Sequence, residues 1–234
     1  MATDARTADA LTKTPETERP AREWNAADLV DLFGPIPMGR VRTDPSPGTA
    51  TFADFEHECV VSGKVSCELV DGVLVEKAMS WQASFIAGEI LALLRNFIQG
   101  KGLGILLTAD GALRLRPDLV RMPDVSFIDA ETLREKFDAD VPYPRAAPTL
   151  AVEVLSLSNT AREMERKVSH YLENGTRSVW VVDPRKRTVA VHSADAGSTL
   201  LTESDRLTGG DVLPGFDVAV ADLFIGPDGG NPAA

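Results

Sequence analysis

Three ionisable residues stand where apolar ones would be expected. Glu153 interrupts the apolar run 150–155 of TLAVEVLS. In an extended segment, Val152 and Val154 then face one side, and Ala151, Glu153 and Leu155 the other. A buried carboxylate without a partner costs several kcal/mol, so Glu153 is expected to be protonated, paired or bound to a metal. Asp124 opens a second apolar segment, RMPDVSFID, directly after Pro123. Proline cannot donate to a sheet ladder and suits a strand start or a bend. Two carboxylates on neighbouring strands can converge on one divalent cation, and hard oxygen ligands with a backbone carbonyl and waters suit Mg²⁺ or Mn²⁺. Lys167 is the third. The pattern Thr160-Ala-Arg-Glu163 fits a capping box that starts a helix at Ala161. On that helix Met164, Val168, Tyr171 and Leu172 form the apolar face. Lys167 lies at its edge, able to lay its stem on the core and reach past the strand end. The plainer alternatives are an ion pair between Glu153 and an arginine, and a surface pair between Lys167 and Glu163 at i−4.

The elements that must position these groups are legible around them. The loop 156–159 is short, so the helix start lies near the C-terminal end of the Glu153 strand, where α/β sites usually form. SVWVVD (178–183) is the next apolar strand; with the strand and helix before it, it predicts a parallel strand-helix-strand unit over 149–183. TVAVHS pairs back across the turn 184–187, and a last strand pair surrounds GGDVLPG. Upstream, CELV-DG-VLVEKA reads as a hairpin around Asp71-Gly72. WQASFIAGEILALLRNFIQG has helical spacing that ends near Gly100. GILLTA, ALRLR and PDVSFID predict three strands in an antiparallel meander, and 131–137 a short helix. The predicted fold is α/β, a mixed sheet with helices on both faces.

Composition bounds the rest. Hydrophobic residues make up 44% of the 234-residue chain, enough for a real core. No apolar run is long enough to span a bilayer, and the N-terminus lacks the apolar stretch of a signal peptide. Cys59 and Cys67 form neither a disulfide framework nor a zinc spacing, so a reducing cytoplasm is the expected location. The net charge is −11, distributed as −5 over 1–58, 0 over 59–194 and −6 over 195–234. Phosphate binding depends on local charge, so this acidity neither excludes nor supports a DNA ligand. Residues 1–23 and 227–234 are expected to be disordered tails, 24–58 a short helix stopped by Gly34 plus an extended proline-containing arm, and 59–226 the main domain. There is no G-x-S-x-G elbow, P-loop or G-x-G-x-x-G, which leaves little for an unrelated hydrolase.

RMPDVSF, LAVEVLS, NTAREMERKVSHYLENG and VWVVDP, in this order, together with CELVDGVLVEKAM, resemble the Uma-two family of bacterial proteins proposed to be restriction endonucleases. That family lies within the PD-(D/E)XK nuclease superfamily. The resemblance extends over about residues 24–224. It implies a restriction-endonuclease-like core (helix, three strands, strand, helix, strand) with an N-terminal hairpin and C-terminal strands. It matches Asp124 to the aspartate of the PD half-motif and Glu153 to the acidic residue of the second half-motif. The lysine expected two positions later is replaced by Leu155, and the family's displaced lysine on the following helix is Lys167. Val154 would offer its backbone carbonyl to the metal, and Glu68 in the hairpin matches a glutamate typical of the family, a further ligand candidate. Leu157 stands where the family often has proline. The family's histidine near MSWQAS is absent, which speaks against a histidine base. His57, His170 and His192 are scattered, with His170 read as a surface residue.

The implied activity is Mg²⁺- or Mn²⁺-dependent hydrolysis of DNA phosphodiester bonds. The metal would serve as Lewis acid and activator of water, and Lys167 would orient that water or stabilise transition-state charge. Arg114 and Arg116, alternating on one strand face, and Arg121 are candidate phosphate contacts. Pairing with acidic neighbours is the alternative for them. A homodimer is compatible with this reading. The rival functional class is a catalytically inactive nuclease fold used as a binding or regulatory module.

Overall fold

The computed structural model describes residues 23–58, 66–78 and 80–224. Both expected tails lie outside those residues apart from Glu23, as does the expected domain boundary at 59.

The chain passes between two sheets, and its last crossing, from β5 (Leu119–Arg121) to β6 (Val125–Asp129), carries the PD segment. The larger sheet has the order β10-β9-β8-β7-β6-β3, and the smaller one β2-β1-β5-β4. In the larger sheet only β7 (Leu150–Val154) and β8 (Ser178–Asp183) are parallel; they are linked by α5 (Ala161–Glu173). β3 (Gly104–Thr108), β6 (Val125–Asp129), β9 (Thr188–Ser193) and β10 (Gly197–Leu201) pair antiparallel. The sheet is therefore mixed, as expected. The simple meander is not what forms. β3 pairs directly with β6, while the chain between them leaves as a hairpin, β4 (Leu113–Arg116) and β5 (Leu119–Arg121), to join the hairpin β1 (Cys67–Val70) and β2 (Val73–Glu76). The physical reason lies at Met122-Pro123-Asp124. Pro123 has no N–H for a ladder, so β5 ends and β6 begins in the other sheet.

Alternation on β7 divides its side chains as the sequence predicts. Val152 and Val154 share a core with α3 (Trp81–Ile98), whose buried positions Ala83, Ile86, Ile90, Leu94 and Ile98 recur at helical spacing. At about 1.5–3 kcal/mol for each fully buried aliphatic side chain, this face anchors the sheet. The C-terminal hairpin β11 (Arg206–Gly209) and β12 (Leu213–Ala219), followed by a 3₁₀ turn at 220–224, extends the same core through Leu207, Leu213, Phe216 and Phe224. Ala151 faces the other way, with Tyr171 of α5 and Val179 of β8. Helices thus cover both faces, and the buried carboxylate of β7, Glu153, faces α5.

The N-terminal arm is a structural part of the smaller sheet. α1 (Ala26–Phe33) is capped by Asn25 and ends at Gly34, and α2 (Phe52–Glu56) follows the proline-containing stretch. Between them, Arg42 N–H donates to Leu74 O at 2.9 Å, and Gly48 and Ala50 N–H both donate to Gly72 O at 2.7 and 2.9 Å. Asp71 and Gly72 form the β1–β2 turn with φ of 50° and 80°, the left-handed pair of a type I′ hairpin. A Cβ on Gly72 would lie 2.6 Å from Gly48 O, so glycine is required there by contact as well as by conformation.

Candidate active site

Six ionisable groups meet where the two sheets and α5 come together: Glu68 from β1, Lys77 after β2, Arg121 from β5, Asp124 at the crossing, Glu153 from β7 and Lys167 from α5. Three carboxylates face three cations. Lys167 Nζ donates to Glu153 Oε2 at 2.8 Å and lies 3.3 Å from Glu68 Oε1. Tyr171 OH donates to the other oxygen of Glu153 at 2.6 Å. Tyr171 stands one turn beyond Lys167, so a single helix face supplies both donors.

Asp124 is placed by backbone. Its N–H donates to Val152 O at 3.0 Å, and its Oδ2 accepts Val154 N–H at 2.8 Å. Its Oδ1 accepts from Lys77 Nζ at 3.0 Å, and the same ammonium donates to Met122 O at 2.5 Å. The N–H and C=O of a strand residue face the same neighbour, so the Val154 carbonyl lies on the Asp124 edge of β7. Asp124 and Glu153 are near enough that the charge of Asp124 helps to raise the Glu153 carboxyl above its ordinary range. Burial is the larger cause, Lys167 opposes it, and Glu68 adds to it. Lys167 is raised in turn: burial alone would lower it, and Glu153 and Glu68 outweigh that effect.

Glu68 is 1% exposed, unlike a solvent-facing hairpin glutamate. It accepts from Arg121 Nη1 at 2.7 Å and Met122 N–H at 3.0 Å in addition to its contact with Lys167. Burial by itself would raise its carboxyl; Lys167, Arg121 and Lys77 instead bring it down to about 2. Both Glu68 oxygens are thus engaged, as are those of Asp124 and Glu153, and Glu68 links Lys167 to Arg121. Arg121 is 1% exposed, and its second guanidinium nitrogen lies 2.8 Å from His170 Nδ1. A guanidinium only donates, so Nδ1 accepts and the imidazole proton sits on Nε2. Burial, then Arg121, Arg116 and Arg166, push His170 down to about 2, so it is neutral. His170 is a buried residue rather than a surface one, and Arg121 is an interior charge paired with Glu68.

The other predicted arginines are engaged as well. Arg116 bonds Asp118 at 2.8 Å and also Asp71. Arg114 lies over the Phe52 ring at 4.0 Å from its centroid. The capping pattern at α5 is half formed. Thr160 accepts Glu163 N–H at 3.0 Å, but the Glu163 side chain turns to Arg40, with its oxygens 2.6 and 3.2 Å from the guanidinium. Lys167 is therefore free of Glu163 and points to β7. Sequence reasoning missed Lys77, whose position after a strand glutamate reads as solvated, and Arg40, which belongs to an arm without periodicity. It placed Tyr171 only on the apolar face, although its spacing from Lys167 could have marked it.

Among the described residues, no group of three or more His, Cys, Asp or Glu side chains is spaced to hold a metal ion by itself. Asp124, Glu153 and the Val154 carbonyl belong to neighbouring chain segments, and two carboxylates with a carbonyl are the donor types with which Mg²⁺ binds, filling its shell with water and substrate phosphate. By donor chemistry the residues fit such an ion.

Residues 52–221 match the model of a family, Uma2, described as "Putative restriction endonuclease". Among solved structures, the chain is similar to one from Anabaena variabilis described as a "putative nuclease belonging to DUF820". The TM-score is 0.61 at 18% identity, over 68% of this chain and 89% of that one. At that identity the likeness shows the fold, which is restriction-endonuclease-like. Comparison with the curated proteins finds no match.

Proposed function

The chain belongs to the Uma2 family, and from that membership we propose that it is a Mg²⁺- or Mn²⁺-dependent endonuclease that hydrolyses DNA phosphodiester bonds. The observation that supports this most is the meeting of Asp124 and Glu153 on adjacent strands with Lys167 Nζ 2.8 Å from Glu153. Asp124, Glu153 and the Val154 carbonyl would hold the cation. When bound, it supplies Lewis-acid polarisation of the scissile phosphate and lowers the pKa of the attacking water. Asp124 is held in line by the Val154 N–H, so its carboxylate needs no rearrangement about the backbone. Glu153 is kept in one rotamer by Lys167 and Tyr171. Lys167, fixed between Glu153 and Glu68, places a positive charge beside the reacting phosphate, where charge develops. Burial in the seam strengthens these interactions by excluding water.

The test is nicking of supercoiled plasmid with Mg²⁺ or Mn²⁺. Wild type is expected to cleave, chelator to abolish cleavage, and Glu153→Ala to reduce it by more than about 100-fold, since even outer-layer metal partners are worth 10–100-fold. One observation favours the rival class: three carboxylates balanced by three cations form a cluster that is complete without a metal. If wild type cleaves nothing across both cations, the fold is a binding module and the cluster a scaffold.

A further inference from the structure

Lys77 is the cation that the metal reading leaves without a task. Its backbone directly follows β2, while its ammonium reaches the seam between the sheets. The other two cations of the cluster are each held twice by side chains, Lys167 by Glu153 and Glu68, Arg121 by Glu68 and His170. Lys77 pairs with one carboxylate, Asp124, at 3.0 Å. Asp124 is also the carboxylate nearest solvent, its side chain 17% exposed against 4% for Glu153. A cation arriving from solution meets Asp124 first and finds an ammonium already there. Because Oδ2 accepts the Val154 N–H, Oδ1 is the oxygen over which ammonium and metal compete.

Resting on the metal reading above, we propose that Lys77 is a built-in competitor of the divalent cation at Asp124. Its ammonium holds the carboxylate in the metal-free protein and gives up that contact when the cation binds. The long stem allows the exchange without movement of β2, and the Met122 carbonyl keeps the displaced ammonium in the seam. Two positive charges on one carboxylate oxygen repel in a partly dry site, so occupancy is exclusive. The free-cation concentration at which the site loads is then set by Lys77 as much as by the ligands.

The test is a Mn²⁺ titration that counts free ion by electron paramagnetic resonance, on wild type, Lys77→Met, Lys77→Gln, Asp124→Asn and the pair Lys77→Met/Asp124→Asn, with folding checked by circular dichroism. Both Lys77 variants are expected to bind at least about tenfold more tightly than wild type, since a competing charge within contact distance is removed. The gain is expected to vanish in the pair. In wild type the Lys77 ammonium resonance is expected to move on adding Mg²⁺, a readout that needs no variant to fold. Asp124-dependent Mn²⁺ binding by wild type, with no tighter binding by either Lys77 variant or with a stationary resonance, overturns the role of Lys77 and leaves the metal reading standing. Absence of binding in wild type and in both Lys77 variants overturns the two together.

Discussion

Glu153 and Lys167 show how a buried charge becomes tolerable when each partner has a second tie. Breaking such a pair from one side leaves an uncompensated charge, so Lys167→Met is expected to cost about 3–5 kcal/mol in chemical denaturation. Adding Glu153→Gln to it is expected to recover part of that loss, because the pair is removed together. His170 makes a separate prediction about pH. It faces Arg121 from β5, Arg116 from β4, Arg166 on its own helix and Glu68 from β1. Its folded value lies near 2 and its ordinary value is 6.5. Between these the unfolded chain binds a proton that the folded one refuses, so stability is full above 6.5 and falls as pH falls, by up to ~1.4 kcal/mol per pH unit. His192 is lowered by burial and adds in the same direction. His170→Asn is expected to shallow that slope, read from denaturant midpoints between pH 6.5 and 4.5. Below 4.5 the stabilisation held by Glu68 also begins to be lost, as its folded value is about 2.

At the scale of elements, the site depends on how α5 and the arm meet. Arg40 reaches from the 3₁₀ turn Met38–Arg40 to Glu76 O, Ser158 O and Glu163, so one guanidinium ties the end of β2 to the start of α5. Arg40→Ala is expected to destabilise by about 3–5 kcal/mol through the stranded Glu163. Arg40→Lys is expected to recover only part of it, since an ammonium cannot make the forked contact; thermal unfolding with both variants measures this. Much of this was legible beforehand. The strand-helix-strand unit follows from an apolar run, a cap at Thr160 and a second apolar run, all local patterns. Glu153 was conspicuous because a charge broke the run. The sheet switch after β5 was not legible: Pro123 announces a bend, but which sheet each side joins is set by pairing partners remote in sequence. The burial of Arg121 and His170 was not legible for a related reason. A charged residue on a strand or helix reads as exposed until its partner, here on another element, is known.

For the whole molecule, acidity and ion pairing bear on how a nucleic acid would be held. Arg40, Arg116, Arg121, Arg187 and Arg206 are all bonded to acidic side chains. To meet a phosphate backbone, these five guanidinium groups would have to leave partners within the fold. Binding to duplex DNA, measured over a range of salt concentration, is expected to give a log–log slope shallower than about −3, a footprint of about three phosphates or fewer. A steeper slope would mean that internal pairs open on binding or that exposed arginines such as Arg95, Arg134 and Arg185 join the contact. The arm carries a further consequence, for where the protein can be cut. The family match begins at residue 52, downstream of Arg40 and of the strand-like contacts with Leu74 and Gly72. A fragment trimmed to that match would keep every proposed ligand and lose the clasp that seats α5. The unit tied together by these contacts is therefore longer than the unit of sequence similarity, and recombination between relatives at that boundary would separate the proposed ligands from the clasp.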